Sequence, residues 1–253
     1  MALLSGPALA AVLFCGEATA GAWPAEAGET LAILKYERSG ADAAFEADGS
    51  RAAMPQRSDE SVSLYVERGL TERLTLQASA GWTRGEDVFV SYEGRGPIEL
   101  GLRYAAFRTD RSVVSLYLGA ALAGEGRNAG YAAPGAGETD LEARLLAGRS
   151  AALLGRPAFV EVQLARLDRS GLPDETRLDL TLGVEPSPRW LLLAQTYAGQ
   201  ADDGASVAAW IKLEVSAVRR FGDWRLQAGW RQSLAGRSSP AEGGPVFALW
   251  RAF

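Results

Sequence analysis

The chain of 253 residues contains no histidine and one cysteine, Cys15. Without histidine it can form neither a Ser-His-Asp triad nor a histidine general base, and most zinc sites are excluded. The sequence also has no G-x-S-x-G nucleophile elbow and no Walker phosphate loop. We therefore predict that the protein is not an enzyme and that it holds no metal and no cofactor.

Two further features are missing. Outside the N-terminus, no apolar run reaches the ~18 residues that a transmembrane helix needs. The formal net charge is −5 and the pI is near 5.0, so the chain lacks the basic surface that phosphate recognition normally requires. These observations exclude a helical membrane protein and argue against a partner made of nucleic acid.

The N-terminus, "MALLSGPALAAVLFCGEATAGAW", has an apolar core over residues 8–14 that is followed by small residues. This order predicts a secretory signal peptide over residues 1–22, with cleavage after Ala20 or Ala22. A buried N-terminal strand is the alternative. Cleavage would leave one mature domain, residues 23–253, without any cysteine, which suits an oxidising compartment.

Beyond residue 28 the dominant pattern is alternation of apolar and polar residues with a period of two, which is typical of strands whose two faces meet different surroundings. In "TRLDLTLGVE", for example, four apolar residues alternate with charged residues and threonine. We predict about twelve such strands of roughly ten residues each. They cover residues 29–38, 61–67, 73–83, 97–107, 112–122, 139–148, 158–167, 176–185, 190–198, 206–218, 223–234 and 245–253.

The predicted connections alternate between long and short. The long ones include 39–60, 84–96 and 123–138, and the short ones include 68–72, 108–111, 186–189 and 219–222. Outer-membrane barrels sort their loops in this way, with short periplasmic turns and longer extracellular loops. We therefore predict an all-β, antiparallel up-and-down transmembrane barrel that is monomeric and lies in the outer membrane of a Gram-negative bacterium. A soluble secreted β-protein is the remaining alternative.

If the apolar faces of these strands meet lipid, the polar faces point into the lumen. Both signs of charge interleave there, so neighbouring strands can form ion pairs. Such a lumen is either a narrow, weakly selective channel or transporter for small solutes, or it is plugged, and the barrel is then structural or binds a ligand. The later strands carry more Arg and Lys than Glu, which indicates a mild preference for anions. The predicted lumen-facing residues are Gln77, Glu99, Arg103, Glu142, Arg144, Glu161, Gln163, Arg177, Asp179, Lys212, Glu214, Arg225, Gln227 and Arg231.

Aromatic residues stand near the ends of several predicted strands, where amphipathic rings favour the lipid headgroup zone. The C-terminal "PVFALWRAF" ends in Phe253 and resembles the terminal strand by which outer-membrane proteins engage the barrel-assembly machinery. Arg251 interrupts the face of that strand that should meet lipid. The predicted membrane-interface aromatics are Trp82, Trp190, Tyr197, Trp224, Trp250 and Phe253.

Several motifs resemble, in order, landmarks of the outer-membrane barrel proteins grouped with the phenol meta-pathway and transporter-like family. They are "AWPAEAGETLAILKYERS", "FEADG", "LYVERGLTERLTL", "GPIELGLRY" and "GAGETDLEARLLAGRS". The resemblance runs over most of the mature chain and implies a single-chain barrel, with uptake of small, often hydrophobic compounds in some members. It implies no catalytic residues.

Overall fold

The computed structural model describes residues 21–89, 91–122, 124, 139–170, 172–202 and 207–253. The signal peptide predicted for residues 1–22 therefore lies outside the described residues except for its last two. Within the described residues, no helix is both long enough and apolar enough to cross a membrane.

Almost all of the described chain is β-strand. Long antiparallel strands follow one another, and one strand of two residues precedes the last. The strands are β1 (Thr30–Phe45), β2 (Arg51–Gly69), β3 (Leu74–Glu86), β4 (Ser91–Arg108), β5 (Ser112–Leu122), β6 (Thr139–Leu153), β7 (Arg156–Asp168), β8 (Asp174–Ser187), β9 (Trp190–Asp202), β10 (Val207–Phe221), β11 (Trp224–Arg237), β12 (Ser239–Pro240) and β13 (Gly243–Ala252).

The sheet closes on itself. From β1 to β11 each strand pairs with the next, β11 pairs with β13, and β13 pairs with β1 from Leu31↔Ala252 to Gly40↔Gly243. The short strand β12 pairs with the far end of β1. Closure satisfies the backbone hydrogen bonds of every long strand and leaves no open edge, as a membrane-spanning sheet requires. The predicted twelve-strand antiparallel barrel is confirmed, with β12 as an addition.

The two faces of the strands differ as the period of two predicts. Large apolar side chains such as Leu100, Leu118 and Val215 expose 57%, 68% and 56% of their surface. Charged and polar residues on the opposite face, such as Arg103 and Glu214, are buried. A soluble protein does not display a continuous belt of exposed leucines, whereas a barrel in lipid must. The belt and the closed sheet confirm the predicted membrane location.

Two predicted loops are wrong. Most of 39–60 and 84–96 is strand, because β1 and β2 are joined only by residues 46–50, and β3 and β4 only by 87–90. The 19 residues of β2 extend over roughly 60 Å at about 3.3 Å per residue, far beyond the ~25 Å apolar belt of such barrels. Outside lipid both faces meet water, so the hydrophobic alternation fades although the pairing continues. The predicted loop 123–138 lies outside the described residues except for Gly124.

The apolar belt predicts how the barrel tolerates charge. Leu100→Arg places a guanidinium in the middle of the belt and should lower the free energy of unfolding by about 2–4 kcal/mol. Leu70 is also exposed but lies in a turn outside the sheet, so Leu70→Arg should change it by less than about 0.5 kcal/mol. Denaturant unfolding in lipid vesicles, followed by tryptophan fluorescence, measures both. Equal losses in the two variants would contradict the assignment of the belt to lipid.

Candidate functional site

The predicted lumen-facing residues all lie on the interior faces of their strands, and most of them have a polar partner. Glu214 accepts hydrogen bonds from Gln227 (3.1 Å) and from Arg231 (2.6 Å). Arg144 pairs with Glu142. The remaining contacts are Gln163 to Glu161, Ser79 to Glu99, Gln77 and Arg103 to Glu67, Arg177 to Glu175, and Lys212 to Glu242. That these residues line the path of a solute stays a prediction.

The segment that precedes β1, residues 21–29, enters the barrel: residues 21–25 are buried or half-buried there, and residues 26–29 are exposed. We call it the N-terminal segment. Ala22 has no exposed surface. Its N–H donates to Glu161 Oε2 (2.7 Å) and its carbonyl accepts from Ser115 Oγ (2.6 Å). The Trp23 ring stands edge-on to Phe159, with centroids 6.1 Å apart. The segment therefore contacts β5 and β7 deep in the interior.

A buried arginine joins the N-terminal segment to the barrel wall. Arg103 on β4 has no exposed surface and donates from Nη2 to the Trp23 carbonyl (2.6 Å) and to Glu67 Oε2 (3.1 Å). The same Glu67 oxygen accepts from Tyr65 (3.0 Å) and Gln77 (3.4 Å). A buried guanidinium needs such partners, because an unpaired buried charge is costly. This network links β2, β3, β4 and the segment.

Small residues let the N-terminal segment fit a narrow lumen. The only large side chain between residues 21 and 25, Trp23, lies over Gly148, where any Cβ would collide with the indole ring. Farther along, the Ala25 N–H donates to Thr75 Oγ1 (3.1 Å), and the Gly28 N–H donates to the Gly69 carbonyl (2.9 Å). The segment thus runs along the inner side of β2 and β3 before it turns into β1.

Apolar side chains cover part of the inner wall at the periplasmic end of β9, β10 and β13. Leu191, Leu193, Val218, Ala248 and Trp250 pack together with no more than 6% of any side chain exposed. We call this group the interior apolar cluster. Sequence reasoning missed it because "WLLLA" at the start of β9 is apolar on both faces, so alternation alone does not identify the inward side.

Two predicted membrane-interface aromatics are wrong. Trp250 is 6% exposed and donates its indole N–H to Gln227 Oε1 (3.1 Å) inside the barrel. Tyr197 also faces the interior, where the Arg231 guanidinium lies 4.7 Å from its ring centroid. Leu249 faces outward, and successive side chains of a strand point to opposite faces. Trp250, the next residue, must therefore face the interior. The other four aromatics expose between 39% and 65% of their surface, and their place at the membrane interface stays a prediction: Trp82, Trp190, Trp224 and Phe253.

Arg251, which the sequence places on the lipid face, does face outward. Its guanidinium lies 4.6 Å from the ring centroid of Trp224 and 4.7 Å from that of Phe253. Cation–π contact offsets part of the cost of a charge beside lipid, and the position near the strand end keeps the group close to the interface. The interruption of the lipid face is therefore accommodated by its aromatic neighbours.

The part of the lumen on the extracellular side contains a cavity of about 200 Å³ whose lining includes several charged side chains. Arg231 reaches Glu37 (2.7 Å) as well as Glu214, and Arg57 pairs with Asp59 (2.6 Å). The charged side chains that face this cavity from inside the barrel are Arg57 and Arg231 against Glu37, Asp59 and Glu242. Two cations against three carboxylates give no excess of positive charge. The expected preference for anions therefore has no support in this cavity.

The fold is shared with solved outer-membrane barrels. An outer membrane channel from Pseudomonas putida F1 is 16% identical, with a TM-score of 0.72 over 94% of this chain and 100% of that one. The translocator domain of the autotransporter NalP from Neisseria meningitidis is 14% identical, with a TM-score of 0.52 over 90% and 89%. The KdgM porin in complex with disordered oligogalacturonate is 8% identical, with a TM-score of 0.52 over 87% and 99%.

No protein-family model and no curated protein sequence matches the chain. At the identities of the solved structures, the likeness is one of fold. It supports the resemblance described above as far as an outer-membrane barrel, and the phenol meta-pathway and transporter-like family itself is not confirmed.

The Arg103 network predicts a large and specific loss of stability. Arg103→Met should lower the free energy of unfolding by about 3–5 kcal/mol, because Glu67 stays buried without its cation. The control is Arg166→Met, since Arg166 forms an exposed pair with Asp174, and it should cost at most about 1 kcal/mol. Denaturant titration of the refolded barrels measures both. Similar small losses would show that the network does not hold the interior together.

Proposed function

We propose that the protein is a narrow passive channel for small solutes in the outer membrane, closed at rest by its N-terminal segment. One observation carries the proposal. The segment lies in the lumen on the periplasmic side of the cavity, yet its central part is tied to the wall mainly by individual side-chain contacts and not by the ladder of the sheet. Its displacement would open the lumen without breaking the ring of strands.

The polar contacts of the segment are separate hydrogen bonds. Hydrogen bonds to Glu161, Ser115, Arg103 and Thr75 hold its backbone. Each typically contributes about 0.5–1.5 kcal/mol net, and up to about 3 kcal/mol where one partner is charged. Release of the segment would break these contacts and leave the ladder of the sheet intact, as the local opening of a gating element does.

The chemistry of the lumen limits the solutes. A solute would meet a cavity without an excess of positive charge and then the interior apolar cluster, so we propose small, uncharged or weakly charged compounds with some apolar surface. Proteins of the same fold include an outer membrane channel and a porin, which supports this class of function. The described residues contain no group of three or more His, Cys, Asp or Glu side chains placed to hold a metal ion, and we propose no catalytic role.

The segment in the lumen also favours a second candidate, a plugged barrel with a structural or ligand-binding role. Under that candidate, the segment never leaves and the barrel conducts no ions. In both candidates we propose that one chain forms the complete barrel and that the C-terminal strand β13 engages the barrel-assembly machinery, with outer-membrane lipid as the surrounding partner.

A disulfide lock distinguishes the two candidates. Because the Ala25 N–H contacts Thr75 Oγ1 and Cys15 lies in the predicted signal peptide, Ala25→Cys with Thr75→Cys introduces the only thiols of the mature chain. In planar bilayers, the reduced double variant should show discrete openings, and oxidation should reduce their frequency by about tenfold or more, because the segment is then tethered.

Controls separate the lock from a general defect. Each single cysteine variant should respond to neither oxidant nor reductant, and the double variant should recover when dithiothreitol is added. A third variant, in which residues 21–28 are removed from the mature chain, should conduct continuously. If that variant is folded and electrically silent, the channel proposal fails and the plugged barrel is favoured.

A further inference from the structure

Glu161 is a buried carboxylate that contacts the N-terminal segment. It lies on β7 with 3% of its surface exposed and accepts hydrogen bonds from the Ala22 N–H (2.7 Å) and from Gln163 Nε2 (2.5 Å). Among the residues that the structure describes, no Lys or Arg forms an ion pair with it. An ionised carboxylate at such a position normally has a cationic partner, because taking an unpaired charge out of water costs several kcal/mol.

Among the described residues, three charged side chains bind the N-terminal segment directly or through one another: Glu67, Arg103 and Glu161. The guanidinium of Arg103 is engaged with Glu67 at 3.1 Å and with the Trp23 carbonyl at 2.6 Å. Two carboxylates and one guanidinium leave a net charge of −1. One further cation beside Glu161 would make this interior site neutral.

The backbone of Gly21 lies where that cation would have to be. The Glu161 carboxylate packs so closely against Gly21 that any Cβ there would collide with it. The same carboxylate holds the nitrogen of the next residue, Ala22. A positive charge on the Gly21 nitrogen would therefore lie beside Glu161, and no side chain is needed to supply it.

We propose that the mature protein begins at Gly21 and that its α-ammonium group is the counter-ion of Glu161. Ala18 and Ala20 form the small-residue A-x-A pattern that precedes a signal-peptide cleavage site. Hydrolysis of the amide between residues 20 and 21 consumes one water molecule and releases the carboxylate of Ala20 and the amine of Gly21. An α-amino group has a pKa of about 7.7–8.0, so that amine takes up a proton at neutral pH.

The alternative cleavage after Ala22 fits the interior poorly. It would remove the N–H that binds Glu161 and the carbonyl that binds Ser115. The new N-terminus would be Trp23, whose indole already packs against Gly148 and Phe159. The structure thus favours cleavage after Ala20 over cleavage after Ala22, a choice that the A-x-A pattern alone does not decide. This inference rests on export of the chain and is independent of whether the barrel conducts.

The first test identifies the mature N-terminus. The full chain is expressed in a Gram-negative host, purified from outer membranes, and analysed by intact mass and N-terminal sequencing. The expected first residue is Gly21. A first residue of Trp23, or an uncleaved chain, overturns the proposal.

The second test asks whether Glu161 holds the new amine. The sequence contains two lysines, Lys35 and Lys212, which pair with Glu37 and Glu242 and serve as internal references for an amine-reactive label. In the folded wild-type barrel, the Gly21 amine should react roughly tenfold more slowly than in Glu161→Gln. The reason is that the ion pair must open locally in the wild-type protein before the label can react. The matched control, Glu99→Gln, removes an interior carboxylate that binds Ser79 and should keep the protection.

The labelling experiment tests the ion pair, and the conductance experiment tests the channel. Equal labelling of Gly21 in the wild-type protein and in Glu161→Gln overturns the ion pair. If Glu161→Gln does not fold, as judged by heat-modifiable gel mobility, the comparison is between folded and denatured wild-type protein, and equal rates there overturn the proposal as well. A barrel that is electrically silent but begins at a protected Gly21 contradicts the channel and leaves this inference standing.

Discussion

The structure depends on one constraint: in lipid, every backbone N–H and C=O must find its partner within the protein. The chain meets it by closing twelve long strands into a ring, which ends where β13 pairs with β1. Closure fixes the direction of each side chain, since alternate residues then face lipid or the interior. The exposed leucines and the buried charges are two results of the same geometry.

A ring of this size encloses an interior that must also be filled or hydrated. Ion pairs between strands fill part of it, as for Arg231 with Glu37 and Glu214. The interior apolar cluster and the N-terminal segment occupy part of its periplasmic side. Most of the wall is thus held by the continuous sheet, whereas the segment is held by separate polar contacts. This difference in how the two parts are held is the physical basis for a closed state that can open.

The sequence predicted the barrel because lipid and water impose opposite preferences on alternate residues of every membrane-spanning strand. The same reasoning failed where that contrast disappears. The sequence pattern predicts a loop over residues 39–60, where the strands extend into water, and it predicts Trp250 at the interface although its parity with Ala248 places it inside. The N-terminal segment has no periodicity, and its position depends on contacts with Arg103 and Glu161, which are distant in the chain. No local pattern could have revealed it.

The central claim is that residues 21–25 occupy the lumen of the folded barrel. Amide hydrogen exchange, measured by mass spectrometry on protein purified from outer membranes, tests it most directly. The account predicts that the N–H groups of Ala22 and Ala25, which donate to Glu161 and Thr75, exchange at least about tenfold more slowly than an unstructured peptide of the same sequence. Exchange of both amides at the unprotected rate in a folded barrel would contradict the account.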